Sequence, residues 1–356
     1  VNLFKACYAL KSLDLSFNNL DQLKRSQLSA VCKAIYNNQR LTELSLSSNR
    51  LGPDGCRAIC TALQGCILLK YLGLSHNQPN REMALPDLLR THPNITSVDL
   101  VEADPKHLDS RAKDNIGQGL LQNDHGKLCF LECDAFAITP QTKSLVWTSS
   151  LPADAVLLAG VLKTNTTLTS FGAAAGNKLS DAGRAAIGRA LLQNKEGRVG
   201  FCDELGLREG VKTAEIDLST SFHTVESFLL LAGVLRANRT LTSLTMTSLK
   251  TEHIEPLAEG LRSNSTLEIL RLQSNINNKG AQRTSTVTLP IQLLNGSLSH
   301  PIIDLSSAGT LSRVSCAVVG VLLNENKTVK TLKLSKTGLG SVVQAEGGHI
   351  LFDPLA

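Results

Sequence analysis

Nine cysteines and eight histidines are the residues of this 356-residue chain with the most chemistry to offer. Cys56 and Cys60 stand four apart in a stretch of helical period, and Cys129 and Cys133 stand four apart along a strand. A zinc site takes about four ligands, and neither pair has a second Cys or His pair at ligand spacing to complete it. Core packing accounts for both, because a buried free Cys behaves as a small hydrophobe. The cysteine count is odd and the residues are dispersed, and a chain of this size needs no disulfide staples. Free thiols in a reducing, cytoplasmic setting are expected. None of the histidines lies in HExxH. No GxGxxG follows a strand, and neither GxxxxGK[ST] nor GxSxG occurs. Ser and Asp recur in unit after unit, which marks an exposed face and not one reactive centre. No catalytic, cofactor-binding or metal-binding residue is assigned, and the chain reads as a non-enzyme.

Six N-x-S/T sequons offer a second chemistry, glycosylation, at Asn94, Asn165, Asn238, Asn264, Asn295 and Asn326. Four of them (Asn165, Asn238, Asn264 and Asn326) occupy one slot, where a helix ends and a strand opens. Asn tolerates the left-handed conformation that closes helices, so the slot is expected for structural reasons, without sugar.

The elements that place these residues follow a repeat. Leu10, Leu13, Leu15, Asn18 and Leu20 fit LxxLxLxxNxL, and Leu41, Leu44, Leu46, Asn49 and Leu51 fit it again 31 residues later. Leu69-Leu72-Leu74-Asn77 and Ile95-Val98-Leu100 follow. Weaker anchors come at Leu168-Phe171, Ile216-Leu218, Leu241-Leu244-Met246, Leu267-Leu270-Leu272-Asn275, Ile303-Leu305 and Val329-Leu332-Leu334. Apolar residues two apart point to one face of a short strand, and the residues between them face outward. Between strands run helical stripes: Leu28, Val31, Cys32 and Ile35; Cys56, Ile59, Cys60 and Leu63; Leu157, Leu158, Val161 and Leu162; Phe228, Leu231 and Leu235. One strand plus one helix cannot bury its own core, so neighbouring units must stack.

This pattern resembles the leucine-rich repeats of the ribonuclease-inhibitor subtype, shared by the sensor end of NOD-like receptors and by the GTPase-activating protein of Ran. The resemblance implies an α/β solenoid, a horseshoe with a parallel inner β-sheet and outer α-helices. It implies one array over 1–356, a piece of a longer chain, with regular repeats at 10–127, longer-period blocks at 128–264 and degenerate repeats at 265–356. The longer period shows in Leu120-Leu121-Gln122-Asn123, repeated at Leu191-Leu192-Gln193-Asn194, and in the run from Leu157 to Asn165, repeated from Leu230 to Asn238. Short connections without helix are expected at 134–142 and 203–212, and residues 276–298 fit a repeat worst. The Asn position holds Ala103, Ser221, Leu249, Ala308 and Thr337 in the weaker units. Terminal repeats need a polar cap, and none is visible at Leu3, Phe4 and Leu10, so apolar surface is expected there.

The repeat register assigns a face. Outward strand positions carry Asp14, Glu43, Asp99, Glu102, Glu132, Asp134, Glu215, Asp217 and Asp304, against the bases Arg271, Lys333 and Lys336. That surface is acidic although the whole chain carries +5, and it would attract a basic protein partner. Phe17, Tyr71 and Phe130 are the aromatic anchors expected on it. The chain is 42% apolar and 19% charged with mean hydropathy near zero, a globular balance. No run of eighteen uncharged apolar residues predicts a membrane helix, and the mild charge predicts no nucleic-acid partner. The expected function is a non-catalytic protein–protein interaction solenoid, the sensing or scaffolding part of a larger protein. The alternative is regulation of an enzyme, of the GTPase-activating or ribonuclease-inhibitor kind. No cofactor is expected, and the pattern does not fix an oligomeric state.

Overall fold

A computed structural model describes residues 10–78, 84–102, 108–149, 151–173, 179–217, 224–278 and 281–338. Contacts divide the chain into two compact units, Val1–Arg198 and Val199–Ala356.

The first five strands of the first unit are three residues long, each set by an LxL-type pair. β1 (Ser12–Asp14), β2 (Glu43–Ser45), β3 (Tyr71–Gly73), β4 (Ser97–Asp99) and β5 (Phe130–Glu132) pair in parallel, in chain order. The register brings Leu13, Leu44, Leu72, Val98 and Leu131 into one row. Leu44, Leu72, Val98 and Leu131 of that row are buried, whereas Leu13 is half-buried at the sheet edge. Parallel pairing requires a crossover between strands. It is supplied by α1 (Arg25–Asn37), α2 (Gly52–Leu63), α3 (Leu85–Thr91) and α4 (Ser110–Gln122). Their starts are legible in the residues: Pro53 and Pro86 sit in first turns, and the Asp109 carboxylate accepts the Ala112 N–H at 2.9 Å.

After β5 the chain turns back as β6 (Ala137–Ile138), antiparallel to β5, so the 134–142 connection has no helix but adds a strand. β7 (Ser144–Trp147) and β8 (Ser170–Ala173) are parallel, joined by α5 (Pro152–Leu162); α6 (Asp181–Gln193) follows. Every residue of α5 from Ala153 to Leu162 is buried. It shows no amphipathic stripe because α4 and α6 cover both its flanks, and Gly117 of α4 lets the first of these contacts close. A Cβ on Gly117 would stand 2.7 Å from the Val156 carbonyl.

In the second unit β9 (Phe201–Cys202) leads into one tight turn at Asp203–Leu205, the only helical turn in the expected helix-free connection. β10 (Thr213–Asp217), β11 (Ser243–Thr247) and β12 (Ile269–Asn278) are parallel, with α7 (Val225–Ala237) and α8 (Ile254–Arg262) as crossovers. β12 then forms a ten-residue antiparallel hairpin with β13 (Ala281–Pro290). This is where the repeat pattern was poorest, and β-branched Thr284, Thr286, Val287 and Thr288 favour strand over helix. The short α9 (Ile291–Leu294) precedes β14 (Ile302–Asp304), α10 (Arg313–Leu323) and β15 (Thr331–Lys333), and β14 and β15 are parallel.

Two polar ladders tie the units of the repeat together. On the strand-to-helix side, Asn49 Oδ1 accepts the Asn18 N–H at 2.8 Å and Asn77 Oδ1 accepts the Asn49 N–H at 3.2 Å. At the other end of each helix an Asn reaches back one unit. Asn165 Nδ2 donates to the Cys129 carbonyl at 2.7 Å while Oδ1 accepts Leu168 N–H at 2.8 Å. Asn123, Asn194, Asn238, Asn264, Asn295 and Asn326 likewise donate to carbonyls of the preceding unit. The sequon slot is thus structural, but not through left-handed backbone: none of Asn165, Asn238, Asn264 and Asn326 has a positive φ, and Asn238 is extended. In two units another residue takes the slot. The Cys66 thiol donates to the Ile35 carbonyl at 3.2 Å, and His92 Nε2 meets the Cys66 carbonyl at 3.0 Å.

Candidate functional site

The outward residues of β1–β5 form two rows. One runs Ser12, Glu43, Tyr71, Ser97, Phe130; the other runs Asp14, Ser45, Gly73, Asp99, Glu132. Neither row contains a Lys or Arg. Asp14 and Glu43 are exposed, and Tyr71, Asp99, Phe130 and Glu132 are half-buried. Neighbouring strands lie ~4.8 Å apart, so Asp99 and Glu132 are adjacent like charges, an arrangement that costs energy in the absence of a cation.

Tyr71 stands at the centre. Burial pushes its phenol above the usual range, and the carboxylates of Asp99, Glu132, Asp14 and Glu43 push it further. All four acids therefore act on one hydroxyl. The Asp14 carboxyl is held below its ordinary value by hydrogen bonds from Ser16, whose N–H lies 2.8 Å from Oδ1. Phe17, just past β1, is 79% exposed with φ 58°, in the left-handed position that Ser48 and His76 occupy in the next two units.

Two expected face residues lie elsewhere. Glu102 is buried, and its Oε1 accepts the Asn77 N–H at 2.9 Å, so it belongs to the first ladder. The Asp134 side chain, 17% exposed, turns to the buried Lys113 of α4, 2.8 Å away, which also lies 3.0 Å from Asp154. Alternation along a strand placed both outward, but β5 ends at Glu132 and the ladder slot draws Glu102 in. Lys113 itself had no signal beyond its place on α4.

In the second unit Glu215 is exposed, and its row continues through Thr245 to Arg271, which donates to Ser243. Asp217 lies on β10, its side chain outside the described residues. Asp304 faces Lys333 across β14 and β15. Asp304 thus has a base beside it and the Glu215 row ends in one, whereas the rows of β1–β5 hold none. Of the expected N-terminal apolar residues, Leu10 is half-buried, and Leu3 and Phe4 lie outside the described residues.

Cys32, Cys56, Cys60, Cys66, Cys129, Cys133, Cys202 and Cys316 are free thiols. Burial pushes Cys56 and Cys202 up to about 12 and Cys66 and Cys133 to about 11, which makes them inert packing residues. Among the described residues no cluster of three or more His, Cys, Asp or Glu is arranged to hold a metal, and no helix is long and apolar enough to cross a membrane.

Residues 37–60, which carry β2, Asn49 and most of α2, match the family model described as Leucine Rich repeat. The chain contains a leucine-rich repeat. It is also similar to FERM domain-containing protein C of Dictyostelium discoideum, 34% identical over 93 residues, covering 24% of this chain and 6% of that protein. Leucine-rich repeats are in general protein-interaction modules and not catalytic ones, and neither match names an enzyme family.

Proposed function

We propose that the exposed face of β1–β5 binds a protein partner through a basic segment, and that the chain acts as the sensing or scaffolding part of a larger cytoplasmic protein. The observation that carries this reading is the strand register, which gathers Asp14, Glu43, Asp99 and Glu132 with Tyr71 on two adjacent rows that hold no base. Such a face raises the encounter rate with a cationic surface and leaves Tyr71 and Phe130 as apolar anchors. The strand-plus-α-helix unit supports the ribonuclease-inhibitor subtype and a single repeat array. The eight free thiols support a reducing compartment.

The test is a partner recovered by pull-down from source lysate and followed kinetically. Rim charges act on association, and a buried anchor acts on dissociation. Asp99→Asn with Glu132→Gln is expected to slow association and flatten its salt dependence. Tyr71→Ala is expected to speed release and weaken binding by about 1–3 kcal/mol. An acidic partner, or one bound unchanged by all three substitutions, overturns the reading.

A further inference from the structure

Asn295 closes α9 and is followed by Gly296, the single Asn-Gly pair in the chain. The other asparagines that reach back one unit precede larger residues: Asp124, Thr166, Lys195, Arg239, Ser265 and Lys327. An Asn before Gly is chemically labile, because no side chain on the next residue shields its backbone nitrogen from the Asn side-chain carbon. The fold nevertheless requires Gly here. Gly296 has φ 76°, and a Cβ on it would stand 3.3 Å from Asn326 Cγ and Oδ1, the ladder side chain of the next unit.

The folded chain holds the Asn295 side chain at both ends. Nδ2 donates to the Leu261 carbonyl at 2.7 Å and to the Asn264 carbonyl at 2.8 Å, and Oδ1 accepts the Ser297 N–H at 3.0 Å. Its own N–H donates to the Ile291 carbonyl at 2.9 Å. Asn295 and Gly296 are half-buried and Ser297 is exposed, so water reaches this turn. Geometry, not dryness, therefore protects the amide. Its carbon cannot turn toward the Gly296 nitrogen until the Nδ2 bonds break, and those bonds break only when α9 parts from the end of α8.

We propose that Asn295 is a self-modification site that records opening of the repeats after α8. Once the ladder bonds part, the Gly296 backbone nitrogen attacks Asn295 Cγ. An N–C bond forms and closes a succinimide ring, the Cγ–Nδ2 bond breaks, and the amide leaves as ammonia, taking the proton that the Gly296 nitrogen lost. Water then opens the ring at either carbonyl and leaves Asp or isoaspartate. Neither product refits the slot. A carboxylate has no hydrogen to donate and would face the Leu261 and Asn264 carbonyls, and isoaspartate also lengthens the backbone by one methylene. A local opening that is otherwise reversible thus becomes permanent.

Trypsin isolates the slot and an internal control. Residues 284–313 contain Asn295 and no other Asn, and residues 263–271 contain Asn264 and no other Asn. The chain is incubated in mildly alkaline buffer with and without denaturing guanidinium chloride, and both peptides are followed by mass spectrometry for conversion of amide to acid. In denaturant Asn295 is expected to convert about tenfold faster than Asn264, and Gly296→Ala to slow it by about tenfold. Without denaturant Asn295 is expected to convert at least about tenfold more slowly than with it, because reaction waits on opening. Asn295→Asp reproduces one product and is expected to unfold at lower denaturant, with loss of hydrogen-exchange protection in α9. The rate comparison stands even if that variant fails to fold. Equal rates at Asn295 with and without denaturant overturn the proposal. So does conversion in denaturant no faster than at Asn264, or an Asn295→Asp chain with the midpoint of the parent.

Discussion

Glu102 Oε1 accepts the backbone N–H of Asn77 at 2.9 Å, doing for Asn77 what Asn77 Oδ1 does for Asn49 at 3.2 Å. The ladder thus passes from amide to carboxylate in the unit where the Asn position holds Ala103. Glu102 comes from the preceding position, and its longer side chain spans the difference. As a charged acceptor buried within the repeat, it binds the N–H more strongly than an amide oxygen does.

Glu102→Ala is therefore expected to behave as a core lesion. It leaves the Asn77 N–H buried and unpaired, at a cost of about 1–3 kcal/mol, more if the lost charge assistance is included. Glu102→Gln keeps an acceptor and should cost less than half as much. Neither substitution should alter the salt dependence of partner association, because the carboxylate is not on the face. Urea unfolding midpoints and association kinetics separate the two effects. A kinetic change at unchanged stability would put Glu102 back on the surface.

Lys113, Asp134 and Asp154 form a buried ion cluster that links α4, the turn after β5 and α5. Burial works against the Lys113 charge, but hydrogen bonds and the charges of the two Asp residues outweigh it and raise the ammonium above its ordinary value. Removing one member of a buried ion cluster leaves the others uncompensated. Lys113→Met is expected to destabilise the chain by about 3–5 kcal/mol. Adding Asp134→Asn and Asp154→Asn should restore much of that loss, since the stranded charges go too. Thermal melts of the single and triple variants decide it, and equal losses in both would show that packing, not charge, is at stake.

The strands of the regular repeats were legible because LxL with burial on one side has a single reading, and the parallel register of Leu13 with Leu44 followed. The remainder was hidden for particular reasons. His92 and Cys66 take an Asn slot through atoms that no consensus for the slot contains. β6 and the β12–β13 hairpin replace repeat units with antiparallel pairs, which a search tuned to the repeat does not see. Lys113 finds Asp134 and Asp154 only once the units stack, 21 and 41 residues apart in sequence. On the face, the rows of Tyr71 and Asp99 were readable, but the close approach of the Tyr71, Ser45 and Ser47 hydroxyls over Gly73 needed coordinates.

The sequon side chains make the same kind of bond but differ in burial. Asn165 is buried and its Nδ2 donates to the Cys129 carbonyl at 2.7 Å, whereas Asn94 is half-buried and donates to Ile67. Asn165→Asp puts a carboxylate oxygen against a carbonyl and is expected to cost about 2–3 kcal/mol. Asn94→Asp, with Lys127 Nζ 3.1 Å from Oδ1, should cost under ~1 kcal/mol. Chemical denaturation of both variants checks the ranking.

The buried thiols set an alkaline limit on stability. Folding raises Cys56 to about 12, and Cys66 and Cys133 to about 11, above an unfolded value near 9. For a group whose folded value is raised, the stabilising contribution is complete below the unfolded value and is lost as pH rises through the folded one. The unfolded chain therefore releases protons from about pH 9 upward while the folded chain holds them. Each such thiol costs the fold up to ~1.4 kcal/mol per pH unit until its folded value is reached. Melting temperature is expected to hold between pH 7 and 8.5 and to fall steeply between 9 and 11. Cys56→Ala removes one titrating group, so its stability curve should be lower at pH 7 through lost packing but shallower above pH 9. Parallel curves for the variant and the parent would mean that Cys56 ionises in the folded state as readily as in the unfolded chain. That result would contradict the burial of Cys56 on the inner side of α2, where its thiol faces the Asn77 carbonyl at 4.0 Å.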